Sequence, residues 1–308
     1  PDRRRWRRGL ACCRALSYAA PMHMSRYEAP GTIAGALGIM AAEPEARILA
    51  GGTDLLVQYQ SGTRRPTVFV DVKRIPELMQ IVADETGVTI GAAVPAADIC
   101  AHPTIAAWWP GVVDGVRLIG STQIQSRGSI GGNLCNGSPA ADSTCALIAS
   151  GAVARVAGPA GEREVPVEAF VIAPGRTVLA PGELLVSVRL TRPASRTADA
   201  YQRLTPRSEM DIAVVSAAVS LTLDAQGICT AARVAIGAVA PTPLLVVDAG
   251  AALVGSALDA AALERAAAAA SAAARPIDDK RGTVSYRRTV VGVLTKRVAA
   301  IAAARSAS

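Results

Sequence analysis

The fifteen residues GSIGGNLCNGSPAAD, at positions 128–142, contain four glycines, two asparagines and an aspartate, and they include no aromatic or basic side chain. Glycine has no Cβ, so its backbone can come close to a ligand and present its N–H group. Backbone N–H groups presented in this way bind anions such as phosphates. The stretch therefore predicts a loop whose main chain lies against an anionic ligand.

Another glycine turn lies upstream, in ARILAGGTDLL at positions 46–56. In chain order it is the first glycine loop, and the stretch at 128–142 is the second. The apolar residues predict a short strand, the glycine pair a tight turn, and the residues after Thr53 the beginning of a helix. This order directs N–H groups at an anion. Neither loop matches the G-x-G-x-x-G of a Rossmann turn or the G-x-x-x-x-G-K of a phosphate-binding loop, so we expect a different nucleotide cradle.

Polar side chains in and near the two loops fit the other parts of a nucleotide. Thr53 and Ser129 add uncharged hydroxyl donors, and Asn133 offers an amide donor and acceptor. A carboxylate such as Asp142 would repel a phosphate, so we assign it to the hydroxyl groups of a ribose or ribityl chain. The alternative is that the glycines serve only turns and that Asp142 caps the helix that follows.

Charge and hydropathy exclude two classes of partner. The chain has 308 residues and a formal net charge of +7, but residues 1–23 hold six arginines against one aspartate, so residues 24–308 carry only +2. With two phenylalanines to stack on bases, this gives little support to nucleic-acid binding. No uncharged run is long enough for a membrane span. We expect residues 1–23 to be a disordered leader before a natural start at Met22 or Met24.

The cysteines and histidines do not indicate catalysis or metal binding by this chain. Its six cysteines include no C-x-x-C pair, so their spacing is not that of a metal or iron–sulfur site. Dispersed cysteines in a chain of this size favour a reducing, cytoplasmic environment. His23 and His102 have no serine, cysteine or acidic partner at a motif spacing. We predict no catalytic residue and no metal ligand.

The apolar pattern predicts alternating strands and helices along the chain. Thr32 is expected to cap a helix over 33–42. The stretch 211–244 predicts a helix followed by two strands around a turn. Two further helices are predicted, one in the alanine-rich stretch 259–276 and one over 287–304.

Four stretches occur in the order and approximate spacing of a known family. They are ARILAGGTDLLVQ, GSIGGNLCNGSPAADS, PGELLVSVRL and YQRLTPRSEMDIAVVSAAVSL. The chain resembles the flavoprotein (medium) subunit of molybdenum hydroxylases, the xanthine dehydrogenase and carbon monoxide dehydrogenase family. The resemblance extends from about Met24 to the C-terminus, and the block S-I-G-G-N…S-P-A-A-D is its most specific part.

The resemblance implies which residues bind FAD. The two glycine loops would wrap the diphosphate, and single positions further along would contact other parts of the cofactor. Where the family usually has a lysine or a similar polar residue after the tyrosine of the YQR block, this chain has Gln202-Arg203, so Arg203 replaces the family's residue. The implied residues are Leu49, Ala50, Gly51, Gly52, Thr53, Asp54 and Leu55 in the first loop, Ser129, Ile130, Gly131, Gly132 and Asn133 in the second, and Asp142, Leu185 and Arg203 outside them.

The resemblance also implies an α+β fold in three parts after the leader at 1–23. Residues 24–80 and 81–195 would form two α/β subdomains of a PCMH-like FAD-binding domain. Residues 196–308 would form a C-terminal α+β flavoprotein domain. A polar, proline-containing stretch near residue 195 fits the boundary between the last two parts.

The function implied by the resemblance is electron transfer within an oxidoreductase. Non-covalent FAD would take electrons from [2Fe-2S] clusters in a small partner subunit, which drain a molybdenum cofactor in a large subunit, and would pass them to an external acceptor. We expect a dimer of such heterotrimers. The alternative is a stand-alone FAD-dependent reductase or oxidase of the same FAD-binding fold.

Overall fold

The computed structural model describes residues 25–208 and 210–307. The predicted leader at 1–23 therefore lies outside the described residues. Three larger β-sheets follow one another along the chain, and buried apolar side chains pack against each of them. Each sheet and its helices are taken in turn below.

The first unit is a parallel three-stranded sheet with strand order β1-β3-β2. Because its strands run in the same direction, the segments that leave β2 and β3 emerge at one edge of the sheet, where Leu49 pairs with Asp71. Its elements are β1 (Arg26–Glu28), α1 (Ile33–Ala42), β2 (Arg47–Leu49), α2 (Leu55–Gln60), β3 (Val68–Asp71) and α3 (Pro76–Met79).

The second unit is an antiparallel five-stranded sheet with strand order β4-β5-β10-β6-β7, covered by helices from the same stretch. Its strands are β4 (Ile81–Asp84), β5 (Gly87–Gly91), β6 (Val153–Gly158), β7 (Gly161–Pro166) and β10 (Leu184–Thr191), and β8 (Val171–Ala173) pairs with β9 (Arg176–Thr177) beside them. Its helices are α4 (Ala96–Ala101), α5 (Pro103–Trp108), α6 (Pro110–Val116), α7 (Thr122–Gln125), α8 (Ile130–Cys135) and α9 (Asp142–Ala149).

The third unit is an antiparallel four-stranded sheet with strand order β11-β12-β13-β14. Its apolar core lies between this sheet and the last three helices of the chain. The elements are β11 (Thr197–Leu204), β12 (Val215–Leu223), β13 (Cys229–Gly237), β14 (Leu244–Leu245), α10 (Val247–Ala251), α11 (Ala260–Ala273) and α12 (Val284–Ala307).

Several element predictions are confirmed. Thr32 caps α1 by accepting a hydrogen bond from the Gly35 N–H at 3.1 Å. The helices α11 and α12 occupy the two C-terminal stretches predicted to be helical, and α12 begins three residues earlier than the predicted 287. Among the described residues, no helix is both long and apolar enough to cross a membrane.

The helix predicted at the beginning of 211–244 is wrong. That segment enters β12 directly at Val215, and β12 pairs with β11 on one side and β13 on the other. Nearly all of β12 is buried, so its alanines and valines serve a central strand rather than a helix. The polar stretch near residue 195 is the short connection between the end of β10 at Thr191 and the beginning of β11 at Thr197.

Candidate functional site

The first glycine loop leaves the carboxyl edge of the parallel sheet. It follows β2 directly, and ligands of open α/β sheets bind at this edge. Gly52 has φ +78°, a left-handed conformation that favours glycine. Within the part of the chain that the structure describes, the N–H groups of Gly51, Gly52 and Thr53 have no hydrogen-bond acceptor. The loop therefore offers a set of free donors.

In the second glycine loop, two of the N–H donors already have acceptors within the protein. Ser129 is the N-cap of α8, and its Oγ accepts a hydrogen bond from the Gly132 N–H at 3.1 Å. The Gly131 N–H donates to the Ala92 carbonyl at 3.2 Å. We expected both loops to present N–H donors to a diphosphate, but these two donors of the second loop already have partners inside the protein. The N–H groups of Gly131 and Gly132 are therefore not free donors at the cleft.

The two loops meet although they lie far apart in the sequence. A Cβ built on Gly51 would lie 1.9 Å from the Arg127 carbonyl oxygen, just before the second loop begins. Real Cβ atoms do not approach a backbone atom so closely, so only glycine allows this contact. The structure therefore explains Gly51 by contact between the loops.

The loops border a cleft of about 980 Å³. This volume is at the upper end of the range for cofactor and small-molecule sites. Most of the residues predicted from the sequence line it: Ala50, Gly51, Gly52, Thr53, Asp54 and Leu55 from the first loop, Ser129, Gly131, Gly132 and Asn133 from the second, and Leu185 from β10. Leu185 lies beside a β-bulge, where the pairing of β10 with β6 shifts by one residue.

Gly131 and Gly132 differ in the space around them. A Cβ on Gly131 would lie 2.3 Å from the Ala92 carbonyl oxygen, so this glycine is needed for packing. A Cβ on Gly132 would meet only the Ser129 Oγ, at 3.2 Å. Gly132 is exposed and lines the cleft, so its missing side chain leaves room there.

Asn133 is held in one orientation by the helix that follows. The buried Ser143 hydroxyl donates to the Asn133 Oδ1 at 2.7 Å. With its side-chain oxygen bonded to Ser143, the Asn133 amide nitrogen remains as a donor at the cleft.

Four of the predicted residues do not line the cleft. Leu49 and Ile130 are buried in the protein beneath the two loops. Asp142 and Arg203 form a buried ion pair at 2.5 Å between α9 and β11. The Tyr201 hydroxyl donates to the other oxygen of the Asp142 carboxylate. The predicted contacts of Asp142 and Arg203 with FAD stay predictions.

Burial raises the pKa of Asp142 to about 6, while the hydrogen bond from Tyr201 and the charge of Arg203 act in the opposite direction. The Arg203 guanidinium also donates to the Leu118 carbonyl at 3.2 Å. The Asp142 carboxylate, which belongs to the second unit, is thus held by two residues of the third unit.

The structure adds cleft residues that the sequence interpretation missed. Arg47 and Arg64 lie at the end of the cleft near α1 and α2 and bring positive charge to it. Residues Pro181 to Leu184, which lead into β10, also line the cleft. Arg47 begins the strand that leads into the first loop. Its position beside that loop was the one indication in the sequence that it lines the cleft.

The geometry agrees with comparisons to known proteins. Residues 22–193 match the family model described as the FAD binding domain in molybdopterin dehydrogenase, and residues 200–302 match the CO dehydrogenase flavoprotein C-terminal domain. The first match alone covers more than half of the chain. The chain belongs to the FAD-binding medium subunits of molybdenum hydroxylases.

Individual relatives support this family membership. The carbon monoxide dehydrogenase medium chain of Afipia carboxidovorans is 36% identical over 91% of this chain and 97% of its own length. A putative xanthine dehydrogenase FAD-binding subunit of Escherichia coli is 29% identical over 88% of this chain and 94% of its own. In a structure of reconstituted CO dehydrogenase from Oligotropha carboxidovorans, one chain has a TM-score of 0.88 and 35% identity, covering 92% of this chain and 98% of that one.

The residues present in this medium subunit fit FAD. The free N–H groups of Gly51, Gly52 and Thr53 suit an anionic diphosphate, and the space beside Gly132 admits a ligand against the backbone. Among the described residues, no group of three or more His, Cys, Asp or Glu side chains is placed to hold a metal ion.

Proposed function

We propose that this chain is the FAD-binding electron-transfer subunit of a heterotrimeric molybdenum hydroxylase. The observation that carries the proposal is the meeting of two sequence-distant glycine loops at one cleft, with free N–H donors on the first. When bound, FAD supplies the redox chemistry, taking electrons from [2Fe-2S] clusters of a partner subunit and delivering them to an external acceptor.

The residues of this chain would bind and orient the cofactor. The N–H groups of the first loop would donate to the diphosphate, and Gly132 would leave room for it. Leu185 would pack near the flavin ring. Asp142 and Arg203 would contact the cofactor from the boundary between the second and third units.

We further propose the assembly around this subunit. The family names of the relatives describe medium chains and FAD subunits. The partners would be a large subunit with the molybdenum cofactor and a small subunit with the [2Fe-2S] clusters, and two such heterotrimers would associate in the cytoplasm. The three units of the fold would correspond to residues 24–80, 81–195 and 196–308.

The experiment is to purify the chain from its native cells under mild conditions and to identify what accompanies it. We expect a molybdenum-containing large chain, an iron–sulfur small chain and stoichiometric FAD that is released by denaturation. Reduction by the substrate of the complex, followed by reoxidation with NAD⁺ or dioxygen, then identifies the acceptor.

Two results would contradict the proposal. A chain that purifies without partners, contains FAD and turns over a substrate of its own would be a stand-alone reductase or oxidase. A chain that never contains or binds FAD would have a different ligand in the cleft.

A further inference from the structure

We propose that Lys73 is a positioning residue for the cofactor: it fixes the Ala50–Gly51 peptide so that the Gly51 N–H faces the cleft and donates to an anionic oxygen of the diphosphate. The inference rests on the proposed function, because it takes the ligand of the cleft to be FAD. It concerns a residue that lies behind the first loop and does not itself line the cleft.

The contacts of the Lys73 ammonium group are specific. Its Nζ donates to the Ala50 carbonyl at 2.8 Å and to the Asp71 carboxylate at 2.8 Å. Ala50 is the first residue after β2, and Asp71 is the last residue of the neighbouring β3. Since β2 and β3 are parallel, Lys73 reaches the first loop from the strand end beside it.

The planarity of the peptide bond links this contact to the cleft. In a trans peptide the C=O and the following N–H point in opposite directions, and the described residues contain no cis peptide. With the Ala50 carbonyl held toward Lys73, the Gly51 N–H points away from it. Gly51 lines the cleft, and its N–H has no acceptor within the described part of the chain.

Asp71 keeps the ammonium in place. The buried Asp71 carboxylate accepts hydrogen bonds from the Tyr27 hydroxyl at 2.5 Å and from the Lys73 N–H at 2.9 Å, besides the one from Nζ. Although burial acts to raise the pKa of Asp71, the hydrogen bonds from Lys73 and Tyr27 lower it below its ordinary value. The carboxylate therefore stays charged and anchors the lysine.

The ion pair between Lys73 and Asp71 distinguishes a positioning role of Lys73 from simple electrostatic attraction of the diphosphate. The charge of Lys73 is balanced by Asp71, so little of it remains to attract a distant phosphate. Loss of Lys73 should therefore act through the orientation of the peptide. It should weaken ligands with a diphosphate and leave ligands without one almost unchanged.

The test measures dissociation constants of the FAD-depleted full-length chain for FAD, ADP and riboflavin, by flavin fluorescence and competition. For Lys73→Met we expect the constants for FAD and ADP to rise about tenfold or more, the loss typical of one hydrogen bond to a charged group. The constant of this variant for riboflavin should change less than about twofold. Lys73→Arg should retain most of the wild-type affinity for FAD, because arginine keeps a cationic donor at this position.

Arg74→Met is the matched control. It removes a positive charge from the neighbouring exposed position, which makes no hydrogen bond to the first loop within the described residues, and FAD affinity should stay at the wild-type value. If Lys73→Met does not fold, Asp71→Asn carries the test, since it frees the ammonium from its anchor and should give a smaller loss with the same preference for diphosphate ligands.

The inference is overturned if Lys73→Met and Asp71→Asn bind FAD like the wild type, or if they weaken riboflavin as much as FAD. In either case wild-type binding of FAD would leave the proposed function standing. Failure of the wild-type chain itself to bind FAD would instead refute the proposed function.

Discussion

At the residue scale, glycine is present at three positions of the two loops for three different physical reasons. Gly51 contacts the Arg127 carbonyl, Gly131 packs against Ala92, and Gly132 leaves space in the cleft. The sequence predicted a close approach of backbone to a ligand at all three. It could not distinguish a ligand from another part of the protein, because a missing Cβ serves both equally.

Gly132→Val should give a folded chain that lacks flavin. The new side chain would extend into the cleft and occupy space needed by the cofactor, while its Cβ would meet only the Ser129 Oγ, at 3.2 Å, a side-chain atom that can yield by a few tenths of an ångström. We expect the flavin content of the purified protein, read from the ratio of visible to ultraviolet absorbance, to fall about tenfold or more. The unfolding midpoint of the FAD-depleted protein should stay near that of the wild type.

Gly131→Val is the matched comparison and should lower stability itself. Its Cβ would overlap the Ala92 carbonyl, and such overpacking costs about 1–3 kcal/mol. We expect a lower unfolding midpoint even without FAD. Normal flavin content in Gly132→Val, or equal stability of the two FAD-depleted variants, would contradict this assignment of the two glycines.

At the element scale, contacts between residues close in the sequence could be predicted, and contacts between distant residues could not. The Thr32 cap of α1 was predictable because a capping side chain bonds a backbone group three residues ahead. The helix α6 is capped instead by Asp199 of β11, which accepts from the Gly111 N–H at 2.7 Å and the Val112 N–H at 3.0 Å. No pattern within α6 points to a partner so far along the chain.

Asp199 should make the stability of the protein depend on pH. Burial raises the pKa of Asp199 to about 7, in spite of the N–H donors of Gly111 and Val112. The folded protein then holds this proton more tightly than the unfolded chain, so the contribution is full below about pH 4 and is lost as the pH rises through 7. Each unit of raised pKa corresponds to about 1.4 kcal/mol.

Asp199→Asn removes the titrating group and should flatten this part of the curve. We expect urea unfolding between pH 4 and 8 to show a fall in wild-type stability with rising pH that is reduced in the variant, whatever the variant's absolute stability. Parallel curves for the two proteins would show that Asp199 titrates with an ordinary pKa.

At the scale of the whole molecule, the family resemblance implied three parts along the chain and a cofactor held by two glycine loops, and the structure has three sheets in succession and a cleft bordered by both loops. The contacts between units could not be predicted. Asp142 was predicted to face a sugar, yet its carboxylate is bonded to Tyr201 and Arg203 of the third unit. Such pairs are specified by the packing of α9 on the third sheet, and their spacing in the sequence carries no signal.

Arg305 links the third unit to the second by hydrogen bonds. It lies in the last turn of α12 and donates to the Asp114 carboxylate of α6 at 2.7 Å and to the Asp199 carbonyl of β11 at 2.8 Å. Asp114 also accepts from the Tyr201 N–H at 3.4 Å, so one half-buried cluster connects a helix of the second unit with a strand and a helix of the third.

Arg305→Met keeps an apolar stem at this position but removes the charge-assisted hydrogen bonds to Asp114 and Asp199, which at this partly exposed position contribute about 1.5–3 kcal/mol together. We expect a loss of unfolding free energy of about that size, measured by urea denaturation of the full chain, and proteolysis should cut α12 first because its last turn has lost its anchor. Arg297→Met, at an exposed position of the same helix, is the control and should unfold like the wild type. If both variants lose the same stability, the effect belongs to the helix and not to the contact between units.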